Sequence, residues 1–169
     1  MTLTQLLFSF KGRINRKPWW LASLGAGFAA SLLTAILEAV ARSAGETIVN
    51  PVTHQFEPTG IFGLAISLIA LVNAWIAFAL SVKRLHDRDR TGWWLIAPYI
   101  GLAIAISLAF AALSFPEGHR EPWNTLGVFA FFGLAGLLLW LFYEIGFLRG
   151  TEGSNRFGAD PLATPEVKS

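Results

Sequence analysis

The residues best suited to chemistry lie in one polar stretch, Lys83-Arg84-Leu85-His86-Asp87-Arg88-Asp89-Arg90-Thr91-Gly92. A His beside an Asp could serve as an acid–base pair. Asp87 and Asp89 could hold a magnesium ion next to a phosphate. Arg84 and Arg88 could grip an anionic headgroup through paired N–H donors. The same residues have a plainer use. A short link that reverses the chain needs polar groups whatever its function, and neighbouring Asp and Arg can pair to fix the turn. Structural use is the first expectation, headgroup or partner binding the second, and catalysis the third. No catalytic, cofactor-binding or metal-ligating residue is assigned.

Two more stretches carry polar side chains. Gly150-Thr151-Glu152-Gly153-Ser154-Asn155-Arg156-Phe157-Gly158 is glycine-rich, and backbone N–H groups in such turns can form an anion nest. No strand precedes it and no Gly-Lys-Ser/Thr follows, so it is not a phosphate-binding P-loop. A compact turn that packs Phe157 against the membrane face is the simpler expectation. Near the N-terminus, Lys11, Arg13, Arg16 and Lys17 form a basic segment. Candidate binding residues across the three stretches are Arg13, Arg16, Arg84, His86, Asp87, Arg88, Asn155 and Arg156.

The elements that position these residues follow from composition. Apolar residues make up 54% of the 169-residue chain and charged residues only 14%. A soluble domain averages about 25% charged residues. There is no cysteine, which excludes a disulfide framework, a thiol nucleophile and a Cys-ligated metal. The sequence pI of about 9.3 rests on few charges, and no broad basic face suggests nucleic acid. Four apolar runs stand out, 19–41, 60–82, 93–115 and 125–148. At about 1.5 Å of helix per residue, each can cross a hydrocarbon core of roughly 30 Å. Helices of a soluble bundle would carry a regular polar face, and these do not.

Orientation follows from Lys and Arg, which accumulate on the cytoplasmic side. Lys11, Arg13, Arg16 and Lys17 precede the first run; Lys83, Arg84, Arg88 and Arg90 join the second and third; Arg149, Arg156 and Lys168 follow the fourth. Only Arg42 and Arg120 fall in the other two links. Both termini are therefore expected in the cytoplasm. Trp19, Trp20, Trp93, Trp94 and Trp123 sit at run ends, where indole rings prefer the headgroup level. Ala39-Val40-Ala41 resembles a signal-peptide cleavage site, but the apolar run before it is too long for a signal peptide.

Finer features set further expectations. Leu3, Leu6, Leu7 and Phe10 follow helical spacing and Gly12 breaks it, which reads as a short interfacial amphipathic helix or a frayed leader. Glu144 lies one turn inside the fourth run, where a lone carboxylate is costly, so an ion pair between Glu144 and Arg84 is expected, with Lys83 and Arg149 as rival partners. Glu38 and Arg42 are spaced as an i,i+4 surface pair. Gly25 with Ala29, Gly27 with Ser31, and Gly133 with Gly136 could face other helices or another copy of the chain.

Three separated motifs in order resemble one family. They are Phe10-Lys11-Gly12-Arg13-Ile14-Asn15-Arg16 with Trp19-Trp20; Arg84-Leu85-His86-Asp87 with Thr91-Gly92-Trp93-Trp94; and Gly150 through Gly153 with Asn155, Arg156, Phe157, Gly158, Asp160 and Pro161. The chain resembles the domain of unknown function 805 family from about Leu6 to Pro161. The resemblance implies a small multi-pass protein of the bacterial inner (plasma) membrane and no particular reaction. The loop between the first two runs is longer than is usual for that family.

The expected fold is all-α: four transmembrane helices in an up-down bundle (19–148), a cytoplasmic segment 1–18 and a glycine-rich cytoplasmic tail 149–169. The first functional expectation is a non-enzymatic component that binds anionic lipid or a protein partner through its cytoplasmic face, with a homo-oligomer as one form of partner. A small transporter or channel subunit is the second; only Asn73, Ser67 and Ser107 offer polar groups within the runs. A membrane enzyme acting on phosphorylated lipid through His86, Asp87 and Asp89 is the third. No cofactor is expected.

Overall fold

A computed structural model describes every residue except 117, 118, 120 and 164–169. Arg120 and Lys168, both counted above for orientation, lie outside the described residues. The chain runs α1 (Leu3–Phe8), α2 (Arg16–Ser43), β1 (Thr47–Val49), β2 (Phe56–Pro58), α3 (Gly60–Asp87), a 3-10 turn (Gly92–Leu95), α4 (Ala97–Ser114) and α5 (Glu121–Gly146). Arg16–Ser43, Gly60–Asp87, Gly92–Ser114 and Glu121–Gly146 are each long and apolar enough to cross a membrane. Their sides carry uncovered apolar groups: Phe28 and Leu113 are each 72% exposed and Phe129 71%. Water would make faces of this extent costly, and hydrocarbon does not.

The boundaries differ from the apolar runs in an informative way. α3 continues past the second run through Lys83-Arg84-Leu85-His86-Asp87, so half of the expected link is helix. The third span opens with the 3-10 turn, and Pro98 then sits in the first turn of α4, where its missing N–H has no intrahelical partner to lose.

The chain divides into two compact units. One comprises Met1–Phe10 and Lys17–Leu80. There α1 begins with a capping box: Thr2 Oγ1 accepts the Gln5 N–H at 3.3 Å, and Gln5 Oε1 accepts the Thr2 N–H at 3.1 Å. Phe10 packs edge-on against Trp75 and Phe78, with ring centroids 5.0 and 5.8 Å away. Between α2 and α3 the long loop forms an antiparallel hairpin pairing Thr47 with Pro58, Ile48 with Glu57 and Val49 with Phe56. Arg42 and Glu38 form the expected pair at 3.2 Å. A Cβ at Gly25 or Gly27 would meet nothing within 4 Å, so neither glycine marks a close approach of another part of the chain.

The other unit comprises Lys11–Arg16 and Ser81–Ser169. Within it α4 packs along α5. The close approach is at Gly101, where a Cβ would stand 3.2 Å from Leu134 Cδ1. Trp94 tilts against Trp140 at 5.3 Å, and Phe115 stacks on Trp123 at 5.2 Å. This unit contains Lys11–Arg16 of the N-terminal basic segment, the end of α3 and the glycine-rich tail together.

Candidate functional site: a polar cluster at the ends of two helices

The cluster is built around Asp87, the last residue of α3, which is 3% exposed. Arg13 Nε donates to its Oδ1 at 3.2 Å, and Arg84 Nη1 donates to its Oδ2. Both guanidiniums are themselves buried. A buried carboxylate is tolerable because it is paired on both oxygens. Arg13 then spreads its remaining donors over the tail. Nη1 donates to Gly153 O at 2.7 Å and Gly158 O at 3.3 Å; Nη2 donates to Thr151 O at 2.6 Å and Thr151 Oγ1 at 3.2 Å. One side chain thus ties the N-terminal segment to α3 and to the glycine-rich turn.

The tail caps α3. The last carbonyls of a helix have no intrahelical partner. Here Asp87 O accepts the Thr151 N–H at 2.8 Å, and His86 O accepts from Asn155 Nδ2 at 2.9 Å. Asn155 Oδ1 accepts the Phe157 N–H at 2.9 Å, and Asn155 and Gly158 exchange both backbone hydrogen bonds at 3.0 Å. The turn is closed by Asp160, which accepts the Leu162 and Gly153 N–H groups at 2.8 and 2.9 Å. Those two donors hold the Asp160 carboxyl below its ordinary range. Gly150 lies directly on Asp87: a Cβ there would overlap the carboxylate.

Arginines cap α5 in turn. Arg84 Nε donates to Ile145 O at 2.8 Å and its Nη2 to Leu148 O. Arg16 Nη1 donates to Phe147 O at 2.8 Å, and Arg88 Nη1 donates to Arg149 O. Cations at a helix C-terminus meet both its orphan carbonyls and the negative end of its dipole. Two side chains named above as headgroup clamps, Arg84 and Arg88, direct donors to backbone of the same chain.

Glu144 is buried and paired, but not with Arg84. Arg88 Nη2 lies 3.2 Å and Arg90 Nε 2.8 Å from Glu144 Oε1. The expected Glu144–Arg84 pair is corrected accordingly. Arg84 precedes Asp87 by three residues on α3 and meets it there, whereas Arg88 and Arg90 lie beyond the helix end and reach α5. Arg90 also stands over Trp94 and Trp140, 5.2 and 5.5 Å from their centroids.

His86 and Asp87 do not act on each other. His86 Nδ1 lies 3.2 Å from Gly12 O, and its ring stacks on Phe157 at 3.9 Å and 4°. Adjacent helix residues point in different directions, so sequence neighbours there are poor acid–base partners. Phe157 therefore covers His86, which corrects its expected packing on the membrane face. Asp89 pairs with Arg156 at 3.1 Å on the exposed side, and Arg156 lies over the Phe157 ring at 4.8 Å. Among the described residues no group of three or more His, Asp or Glu is placed to hold a metal ion.

Arg13, Arg16, Arg84, His86, Asp87, Arg88, Asn155 and Arg156 all belong to this one unit, with Glu144. Sequence reasoning missed the central position of Arg13 and the parts of Thr151 and Gly150. The regular order of a Gly-Thr pair just after an apolar run was a signal for a cap, and none of its residue types announced Asp87 as the recipient.

The comparisons with known proteins fit this picture. The family model described as protein of unknown function, DUF805, matches residues 7–159. The chain is 32% identical to the uncharacterized protein YiiR of Escherichia coli K12, over 99% of this chain and 94% of that protein. It is 28% identical to the inner membrane protein YhaH of the same strain, over 92% and 89%. No solved structure matches. Four apolar helices and kinship with an inner membrane protein identify a multi-pass protein of the inner membrane. With the first two motifs and the third as far as Gly158 inside the matched residues, the chain belongs to the DUF805 family, whose description assigns no activity.

Proposed function

We propose that this protein is a non-enzymatic inner-membrane component whose polar cluster faces the cytoplasm and binds anionic phospholipid there. The observation that carries the reading is a division of labour among arginines. Arg13 and Arg84 are buried and hydrogen-bonded within the chain. Arg16 and Arg149 are exposed, and the Arg149 guanidinium has no hydrogen bond or ion pair among the described residues. Both cations stand at the ends of membrane-length helices, and in this reading they meet lipid phosphates. Each basic residue near an anionic surface contributes about 1 kcal/mol.

Native mass spectrometry of the full chain, extracted with its own lipids, tests this. Phosphatidylglycerol or cardiolipin should remain bound, and Arg149→Gln should lower retention about fivefold, the equivalent of that 1 kcal/mol. Arg84→Gln should act differently, by lowering the melting temperature. Equal retention of anionic lipid by wild type and Arg149→Gln would count against the reading.

A further inference from the structure

A cavity of about 280 Å3 opens beside the cluster, lined by Asn15, Arg16, Arg149, Thr151, Glu152 and Asp160 among others. Three features distinguish it from an ordinary surface crevice. It carries unneutralised charge of both signs: neither the Arg149 guanidinium nor the Glu152 carboxylate has a partner among the described residues. Asn15 also lines it, through a side chain whose Oδ1 is itself buried without a hydrogen-bond donor among the described residues. Finally, it lies where α2 begins at Arg16 and just after α5 ends at Gly146, at the ends of two membrane-length helices.

A simple anion would answer Arg16 and Arg149 and leave Glu152 unmet. A metal cation would do the reverse. A ligand that carries phosphate and a primary ammonium a few ångströms apart answers all of them. We propose that this cavity holds a phosphoethanolamine group, carried by a phospholipid: phosphate toward Arg16 and Arg149, ammonium toward Glu152. The inference rests on the phosphate contact at Arg149 in the reading above and adds a zwitterionic headgroup that the same contact would hold.

The ammonium is what makes the idea testable. Phosphatidylcholine has the same two charges but no N–H donors, and phosphatidylglycerol has the phosphate alone. The full chain, purified in detergent, is offered equal amounts of the three lipids with matched acyl chains and examined by native mass spectrometry. Wild type should retain phosphatidylethanolamine about tenfold over phosphatidylcholine, the weight of one hydrogen bond to a charged group. Glu152→Gln should erase that preference and leave phosphatidylglycerol retention unchanged. Because the Glu152 side chain has no partner to lose, its melting temperature should stay at the wild-type value. Equal retention of ethanolamine and choline lipids by wild type, or a preference that survives Glu152→Gln, would overturn the assignment. Soluble phosphoethanolamine separates the two sources of the group. Weak binding of the soluble ester beside firm binding of the lipid supports the phospholipid, while tight binding of the ester without any preference among lipids overturns it. Loss of the ethanolamine preference with Arg149-dependent phosphatidylglycerol retention intact would sink this inference alone. Loss of all phospholipid retention would sink the wider reading too.

Discussion

At the scale of residues, the cluster depends on pairing two cations with one buried carboxylate. Asp87 has a guanidinium on each oxygen, and Arg13 has four further acceptors in the tail. Removing one member of a buried pair leaves an uncompensated charge, which typically costs about 3–5 kcal/mol. Asp87→Asn should therefore lower the thermal stability of the detergent-solubilised protein sharply. Arg13→Gln alone should do so as well, and the double variant should lose much less than the sum, because the second change removes the stranded partner. Additive losses would show that the two side chains do not act through each other. Glu144 gives the matching contrast. Its coupling should be found with Arg90 and not with Arg84, since Arg90 is the residue 2.8 Å away.

At the scale of elements, the tail is a C-terminal cap for α3 that depends on two kinds of glycine. Gly153 and Gly158 have φ of +74° and +141°, where an L side chain is strained, but a Cβ at either would meet nothing. Gly150 is the reverse, a position where a Cβ would overlap the Asp87 carboxylate. Gly150→Ala should thus displace Asp87 and cost about 1–3 kcal/mol, as overpacking does. It should also expose the Thr151 N–H to amide exchange; unchanged exchange there would refute the capping role. Much of this scale was legible in the sequence. Four membrane-length helices follow from uninterrupted apolar runs, and the Thr2–Gln5 spacing is that of a capping box. The hairpin was not, because its strands are three residues each and their apolar side chains lie exposed rather than in alternation with a core. Arg84 was misassigned for a related reason. Sequence shows that a buried carboxylate needs a cation, and only geometry shows which of several nearby arginines can reach it.

At the scale of the whole molecule, lipid-facing surface and polar cluster answer one constraint. In hydrocarbon the backbone must satisfy itself, and long helices do so everywhere except at their ends. The ends of α3 and α5 within one unit are closed by side chains and by tail backbone of the same chain, so the cluster is where this protein meets the problem of terminating two helices at a membrane boundary. Asp160 is held below its ordinary value by the Leu162 and Gly153 N–H groups. A depressed carboxyl contributes stability in full above its unfolded value, about 3.9, and loses it as pH falls through the lower folded value. Protection of those two amides from exchange should therefore be flat at neutral pH and fade only in strong acid, while Asp160→Asn should weaken it at every pH. If protection instead disappeared between pH 5 and 7, Asp160 would not be what closes the turn. The same tail supplies Arg149 and Glu152 to the headgroup cavity, so acid that opens the turn should release bound phosphatidylethanolamine in parallel. A cap loosened without loss of lipid would separate the two roles and place the headgroup elsewhere.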